Sequence, residues 1–248
     1  MKATALPGNH VITVMFFTGA IVFLCDDASA QNLYESELYS GAINVIDSSG
    51  NLTTFVPSTQ PQGEQLAFNS SGDLFVGNNS GPSITEISPN GTASSFGFGF
   101  DAPAGVAVNS AGDVFVANLG SGQIIEVSPD GLSETVFASG LDRPYNLAFG
   151  PHGDLFETDL SSGNVYEFEP NGGKALRASG FQGPSGLVFN SAGDLFVANS
   201  NTGTISESRP PQGQAQFFLV FLTLKVWPSI AQETCLLRTP DPAEKLRK

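Results

Sequence analysis

The sequence predicts an all-β protein, a β-propeller made of four-stranded blades. In four places a polar turn ending in Gly-Asp is followed by a short apolar strand, with marker glycines at Gly72, Gly112, Gly153 and Gly193. The steps between these glycines are 40, 41 and 40 residues. A period of about 40 residues that holds several short strands is typical of propeller blades.

The second repeat shows how four strands fit into one period. Apolar stretches at residues 103–108 and 113–118 flank a turn of Asn, Ser, Ala and Gly. Asn and Gly tolerate the left-handed backbone angles of tight turns. Two further stretches, residues 123–128 and 133–137, flank the turn at residues 129–131, where Pro and Gly favour a hairpin. The pattern predicts four antiparallel strands joined by short turns.

The second strand of this repeat is apolar on both faces. Val114 and Val116 point to one side, whereas Phe115 and Ala117 point to the other, because side chains alternate along a strand. Both faces are therefore expected to be covered, as they are when blades stack face to face. A two-sheet sandwich, which usually leaves one face polar, is the weaker alternative.

The repeats predict about five blades, four complete and one partial. Residues 32–35 match residues 73–76, so the first blade begins at its second strand. Propellers often complete such a blade with a strand from the other end of the chain, which removes exposed edges. Residues 227–231 faintly resemble residues 184–187 and are a candidate for that strand. The sequence leaves open whether the ring is complete.

The chain divides into three segments, residues 1–30, 31–216 and 217–248. The first resembles a secretory signal, with Lys2, an apolar core and an Ala-Ser-Ala cleavage pattern; an uncleaved anchor is the alternative. We expect a secreted or periplasmic propeller with no membrane span after cleavage. The last segment is an atypical tail, rich in cations and containing Trp227; it is either the closing strand or an aberrant gene end.

The charge of the propeller segment argues against nucleic acid as a partner. Between residues 31 and 208 only Arg143, Lys174 and Arg177 are basic, against 19 acidic residues, a formal charge of −16. Nucleic-acid binding requires a basic surface. Acidity on this scale favours solubility and is compatible with cation binding.

Two sequence units resemble a known family. P-x-G-L/V-A-F/V-N-x-x-G-D-L-F-V-A-N and G-x-I-x-E-I-S-P-N-G resemble NHL-repeat propellers and the superfamily that holds gluconolactonase-like (senescence-marker-protein) enzymes and streptogramin lyase, over residues 32–213. The gluconolactonase-like enzymes bind a divalent metal with Glu and Asn or Asp oxygens and use it to activate water or polarise a lactone. The resemblance implies Glu64 and Asn146 as metal ligands, and Asp159 is a further candidate ligand.

Few residues suit other chemistry, and we predict no catalytic residue. A Ser-His-Asp arrangement needs a histidine base, yet after signal removal only His152 remains, in a turn. Zinc sites of the His/Cys type lack ligands. We expect no cofactor, or a divalent cation such as calcium held by oxygen ligands. The Gly-Asp turns supply one carboxylate each, which favours hairpin chemistry over calcium loops.

Candidate ligand-binding residues lie on the rim where second strands end and innermost strands begin. The third repeat departs from the pattern there, because Glu157 stands where the other repeats have Val76, Val116 and Val197. A buried charge is costly unless it is paired or functional; the alternative is drift at an exposed strand end, with Arg143 as the neutralising partner. The candidates are Asn118, Arg143, Tyr145, Asn146, Glu157, Asp159 and Asn199.

The sequence thus favours an exported propeller that serves as a binding or scaffold module for a protein or glycan. The alternative is a metal-dependent lactone hydrolase of the gluconolactonase-like kind, for which Glu64, Asn146, Glu157 and Asp159 are the motivating residues. A third reading is a defective gene product without a settled function, suggested by the atypical tail.

Overall fold

The computed structural model describes residues 11–16, 19–26, 32–36, 40–47, 49–58, 63–190, 193–208 and 217–220. Side chains are described for residues 32, 34–36, 40–47, 49–58, 65–190 and 193–208. All regular structure in these ranges is strand. No helix long and apolar enough to cross a membrane occurs among the described residues.

Five antiparallel sheets form the blades of a five-bladed propeller, and within each sheet the strands pair in chain order. The first blade contains β1 (Val11–Phe16), β2 (Gly19–Asp26), β3 (Asn32–Ser36), β4 (Ile43–Ile46) and β5 (Leu52–Val56). The second contains β6 (Gly63–Phe68), β7 (Leu74–Asn78), β8 (Ile84–Ile87) and β9 (Ala93–Phe96). The third contains β10 (Pro103–Val108), β11 (Val114–Asn118), β12 (Gln123–Val127) and β13 (Glu134–Ala138). The fourth contains β14 (Pro144–Phe149), β15 (Leu155–Asp159), β16 (Asn164–Phe168) and β17 (Lys174–Ser179), and the fifth β18 (Pro184–Phe189), β19 (Leu195–Asn199), β20 (Thr204–Ser208) and β21 (Phe217–Val220).

The predicted propeller and its count of five blades are confirmed. In the second repeat the four observed strands begin and end within one residue of the predicted stretches. The agreement is close because the turns between the strands carry local chemistry of their own, so that strand ends are set by nearby residues rather than by distant packing.

The turn between the first two strands of a blade is closed by an Asn side chain. Asn109 Oδ1 accepts the N–H groups of Ala111 and Asp113, each at 2.9 Å, and its Nδ2 donates to the Asp113 carboxylate at 2.9 Å. Asn69 and Asn190 bind the aspartates of their own turns in the same way. The aspartates of these three turns therefore serve the hairpins, as the spacing of the carboxylates predicted.

Apolar side chains fill the spaces between successive blades. Val116 of β11 faces the second blade, within a cluster that includes Phe75 and Ile84. Phe115 and Ala117 of the same strand face the fourth blade. Every residue of β11 is buried, which is the two-sided burial that the sequence predicted for stacked blades.

The first blade differs from its prediction. The position of its innermost strand, for which the sequence offered a strand from the other end of the chain as one candidate, is held by β2, which pairs with β3. β1 lies against β18 of the fifth blade and so stands between the first and last blades. Both strands come from the segment that the sequence identifies as a secretory signal, and that interpretation stays a prediction. The alternative closing strand, residues 227–231, lies outside the described residues.

The fifth blade extends past the predicted boundary at residue 216. Its outermost strand is β21, which pairs antiparallel with β20 from Ser208 opposite Phe217 to Ile205 opposite Val220. The first four residues of the predicted tail therefore belong to the propeller. An apolar stretch at the position of a fourth strand is sufficient to complete the sheet, even though the repeat motif has already faded there.

Candidate functional site

The polar residues at the ends of the second strands hold the linkers that lead into their own blades. Asn118 Oδ1 accepts the N–H of Asp101 at 2.6 Å, and Asn199 Oδ1 accepts the N–H of Gln182 at 3.1 Å. Asp159 Oδ2 accepts the N–H of Asp142, in the equivalent linker, at 2.8 Å. All three polar side chains are buried. Their recurrence is explained by this shared structural role, and a further role in ligand binding stays a prediction.

Asp159 accepts more backbone N–H groups than either of the two asparagines. Its second oxygen, Oδ1, accepts the N–H of Arg143 at 3.3 Å and the N–H of Ser162 at 3.0 Å. The linker into the fourth blade is thus held to the loop after β15 by one carboxylate. An amide side chain has a single acceptor oxygen, so Asn118 and Asn199 lack the second anchoring point.

The same linker presents side chains that its equivalents lack. Arg143 is exposed, and the corresponding residues of the other two linkers are Ala102 and Gly183. Tyr145 is half-buried, where the neighbouring linkers have the small residues Ala104 and Ser185. At the start of the fourth blade the sequence therefore departs from the repeat pattern at solvent-accessible positions, where a cation and an aromatic ring are close together in sequence.

Glu157 lies directly beneath this linker and is the most unusual side chain of the described core. It has 0 % exposure, and neither carboxylate oxygen has a hydrogen-bond partner in the described part of the chain. In register it stands between Leu147 of β14 and Tyr166 of β16, on the face that packs against the third blade. The expectation of an exposed strand end is therefore wrong.

Burial strongly affects the ionisation of Glu157. Desolvation raises its pKa well above the ordinary value, and the nearby Asp159 carboxylate raises it further. The ammonium of Lys174 and the backbone of Tyr145 oppose the shift more weakly. Arg143 is not among the groups that act on Glu157, because its side chain lies in solvent, so the expected neutralising role of Arg143 is corrected by the structure.

The innermost strands are joined across the axis by Gln65, which the sequence analysis did not single out. Its Oε1 accepts the N–H groups of Val106 at 3.0 Å and Leu147 at 3.1 Å, and its Nε2 donates to the Leu147 carbonyl at 2.6 Å. One side chain of the second blade therefore binds the backbones of the third and fourth. The register of each innermost strand is irregular near this position, which directs these N–H groups away from the sheet.

Gly105 shows how closely the strands approach each other there. A Cβ atom at Gly105 would lie 2.4 Å from the carbonyl oxygen of Tyr145 and 2.9 Å from Gln65 Oε1, so no larger residue fits. Equivalent positions in successive blades read Gln65, Gly105, Asn146 and Gly186. This alternation of amide and glycine is the sequence signal that could have identified Gln65.

Asn146, predicted as a metal ligand, takes part in the same axial network. Its Oδ1 accepts the N–H of Leu187 in the fifth blade at 3.2 Å. The Asp159 oxygens accept three backbone N–H groups. The Glu64 side chain lies outside the described residues. Among the residues described, no group of three or more His, Cys, Asp and Glu side chains is placed to hold a metal ion. The oxygens of Asn146 and Asp159 thus accept backbone N–H groups, and the binding of a metal ion by Glu64, Asn146 and Asp159 stays a prediction.

Comparison with known proteins gives a fold but no family. No family model and no curated protein matches the chain. Among solved structures, the chain resembles a streptogramin B lyase, with a TM-score of 0.66 and 15% identity over 90% of this chain and 72% of that one. It also resembles a structure of virginiamycin B lyase from Staphylococcus aureus with quinupristin, with a TM-score of 0.64 and 15% identity over 85% of this chain and 74% of that one.

A third similar structure is the nidogen/laminin complex, with a TM-score of 0.70 and 14% identity over 86% of this chain and 94% of that one. At such identities the likeness concerns the fold alone. It agrees with the sheet order in placing the chain among the β-propellers, a fold that supports both binding proteins and enzymes.

Proposed function

We propose that this chain is an exported binding or scaffold module of the NHL type that takes a protein or glycan ligand on the linker rim at the start of the fourth blade. The observation that carries the proposal is the exposed break in the repeat at Arg143 and Tyr145. In a repeat protein the shared residues maintain the scaffold, so side chains that differ in only one copy and face solvent are candidates for recognition.

The uses of the other polar residues support binding rather than catalysis. Asn118, Asn199 and Asp159 hold linkers, and Gln65 and Asn146 hold the innermost strands. These side chains are committed to backbone hydrogen bonds, which favours a rigid platform. Rigid scaffolds that present side chains on connecting segments are well suited to recognition.

Two further points are compatible with this proposal. The signal-like residues 1–30 favour export, and the acidic body favours solubility outside the cell. One of the similar structures is a complex of nidogen with laminin, a case in which a protein of this fold occurs in a protein assembly. That likeness supports a binding role for the fold and does not name a partner.

The test is a binding screen against extracellular proteins and glycans with matched variants. We expect a ligand that binds the wild-type protein and the Gln182→Ala variant, but not the double variant Arg143→Ala with Tyr145→Ala. Gln182 is the matched control because it is exposed on the equivalent linker of the next blade. A ligand that the double variant retains at full affinity would contradict the proposed site.

Hydrolysis of lactones by this protein would contradict the proposed binding role and favour an enzyme instead. The decisive result would be lactone turnover that depends on added calcium or zinc and is lost in Glu64→Ala. Glu64→Ala is preferable to Asn146→Ala, because loss of the Asn146 amide also removes the acceptor of the buried Leu187 N–H and would confuse folding with catalysis.

A further inference from the structure

The Asp159 carboxylate supports a backbone conformation of Arg143 that the equivalent residues do not adopt. Ala102 has a φ of 54° and Gly183 a φ of 64°, whereas Arg143 is outside the positive-φ region. Positive φ is unfavourable for residues with larger side chains. An Arg at this position therefore requires a different linker conformation, and the N–H of Arg143 finds its acceptor in the second oxygen of Asp159.

The two changes from the repeat, Asn to Asp at position 159 and a small residue to Arg at position 143, thus depend on each other. The carbonyl of Arg143 is also held, because it accepts the N–H of Leu160 at 2.9 Å. Both backbone polar groups of Arg143 are consequently bound to the segment that follows β15. The guanidinium projects from a fixed point, which reduces the entropy lost when it binds a ligand.

Arg143 also differs from the other two cations between residues 31 and 208. Arg177 lies 3.7 Å from the Glu167 carboxylate, and the Lys174 ammonium lies over the Tyr166 ring, 5.0 Å from its centroid. Arg143 is exposed, and no ion pair of Arg143 occurs among the described residues. A fixed guanidinium without an internal acid is suited to a carboxylate from outside, which it can bind with two parallel hydrogen bonds.

The groups around Arg143 favour a sugar as the carrier of that carboxylate. Ser161 and Ser162 are exposed in the adjoining loop, and the N–H of Ser162 is held by the same Asp159 oxygen as the N–H of Arg143. Hydroxyl groups both donate to and accept from sugar hydroxyls. The half-buried Tyr145 adds aromatic surface, and the exposed acid of Asp142 beside Arg143 disfavours a doubly charged group such as phosphate.

We propose that this rim binds an acidic glycan, with Arg143 contacting a uronic-acid carboxylate and Asp159 acting as the positioning residue that orients Arg143. The inference rests on the proposed function, since it specifies the ligand of the same site. The inference gives Asp159 a role that differs from that of Asn118 and Asn199, which hold their linkers without positioning a charged side chain.

The test is calorimetric titration with an oligosaccharide that ends in a uronic acid and with its neutral counterpart. We expect the acidic sugar to bind at least about tenfold more tightly than the neutral one, the effect of one charge-assisted contact. Arg143→Ala and Asp159→Asn should each lose about tenfold or more in affinity for the acidic sugar, and Arg143→Lys should retain part of it.

The matched controls separate positioning from folding. Asp159→Asn installs the residue found at positions 118 and 199, so we expect it to fold and to melt near the wild-type temperature. Gln182→Ala, on the equivalent linker of the fifth blade, is the control and should leave sugar affinity unchanged. Binding that persists after the chelation of metal ions, but falls in Asp159→Asn, would distinguish positioning from metal ligation.

Unchanged affinity of Asp159→Asn for the acidic sugar, or equal affinity of the wild type for both sugars, overturns the inference. Preference for an acidic peptide over the acidic sugar also overturns it. In each case the proposed function stands if some ligand still requires Arg143 and Tyr145. If no ligand requires either residue, the proposed function fails together with the inference.

Discussion

Glu157 is the residue at which this chain departs furthest from its own pattern. The first, second and fourth repeats have valine in the middle of the second strand, whereas the third repeat has this glutamate. Its carboxyl group has 0 % exposure and no hydrogen-bond partner among the described residues. Burying a polar group without such a partner costs about 1–3 kcal/mol in proteins. The side chain therefore lowers the stability of the interface between the third and fourth blades.

The first prediction concerns the replacement of this residue by the repeat consensus. Glu157→Val should raise the free energy of unfolding by about 2 kcal/mol and the melting temperature by about 4–8 °C, because an unsatisfied polar group is exchanged for an apolar one. Thermal unfolding followed by circular dichroism measures the change. Glu169→Val, at an exposed turn, is the control and should change little. A loss of stability in Glu157→Val would show that the carboxyl has a stabilising contact.

The second prediction concerns pH. Because the pKa of Glu157 is raised in the folded state, the folded protein holds this proton more tightly than the unfolded chain does. The contribution of protonated Glu157 to the free energy of unfolding is fully present below about pH 4.5 and is lost as pH rises through the folded-state pKa. In that range the free energy of unfolding falls by up to about 1.4 kcal/mol per pH unit. The stability difference between Glu157→Val and the wild type should therefore widen from pH 4 to pH 8.

Glu157→Gln provides the control for this pH dependence, since it removes the ionisation and keeps the shape. The melting temperatures of the wild type and both variants are compared at each pH in the same buffer. The contribution of the other acidic groups cancels in this comparison, because all three proteins share them. A constant difference between wild type and Glu157→Val across this range would mean that Glu157 does not change its ionisation on folding in the predicted direction.

At the scale of elements, the innermost strands depend on one side chain that joins three blades. Gln65 is buried, and its Oε1 accepts the N–H groups of Val106 and Leu147. An amide there connects segments that are 41 and 82 residues away in the chain. Such contacts limit the independence of the blades.

The third prediction follows from these contacts. Gln65→Ala should lower the free energy of unfolding by about 2–4 kcal/mol, because two buried N–H groups lose their acceptor and one carbonyl loses its donor. Chemical denaturation measures the loss, and Gln182→Ala, an exposed glutamine on a linker, is the matched control. If Gln65→Ala unfolds like Gln182→Ala, water or a rearranged strand must replace the amide, and the cross-axis contacts are not important for stability.

The sequence predicted the strands better than the site, and the reason lies in the range of the contacts. Strand ends follow from turns such as the one closed by Asn109, in which every partner is within four residues. The candidates Arg143, Glu157 and Asp159 could be identified because they interrupt the repeat. Their arrangement could not, since the separation of Arg143 from Glu157 depends on how a linker crosses the end of a strand.

The sequence does not show which backbone groups Asn118 and Gln65 bind, for different reasons. Asn118 recurs in equivalent repeats, and recurrence alone does not reveal that its side chain supports a linker, which the bond from the Asp101 N–H shows. Gln65 binds backbone groups of two other blades, next to irregularities in the pairing of β10 and β14. Contacts of this kind depend on the tertiary structure and leave little local pattern.

At the scale of the whole molecule, the closure of the ring involves the residues that resemble a signal. β2 pairs with β3, and β1 lies against β18. Removal of residues 1–30 would leave the inner edge of β3 and the exposed side of β18 uncovered, whereas export would require that removal. Residues 1–30 are therefore interpreted either as part of the ring or as a signal that is removed. Comparing the chain with and without these residues tests both interpretations.

The fourth prediction compares the full chain with one that begins at residue 31. Because unpaired strand edges and uncovered apolar faces promote association, the shorter chain should melt at a lower temperature and form oligomers. Differential scanning calorimetry and light scattering measure the two effects.

A monomeric shorter chain with an unchanged melting temperature would contradict this expectation and would favour closure by another segment. The candidate from sequence is residues 227–231, which include the only tryptophan, Trp227. If that segment fills the first blade after cleavage, Trp227 fluorescence should shift to shorter wavelength in the shorter chain, because the indole ring would leave water for an apolar interface. An unshifted spectrum together with lower stability would instead assign ring closure to the N-terminal strands.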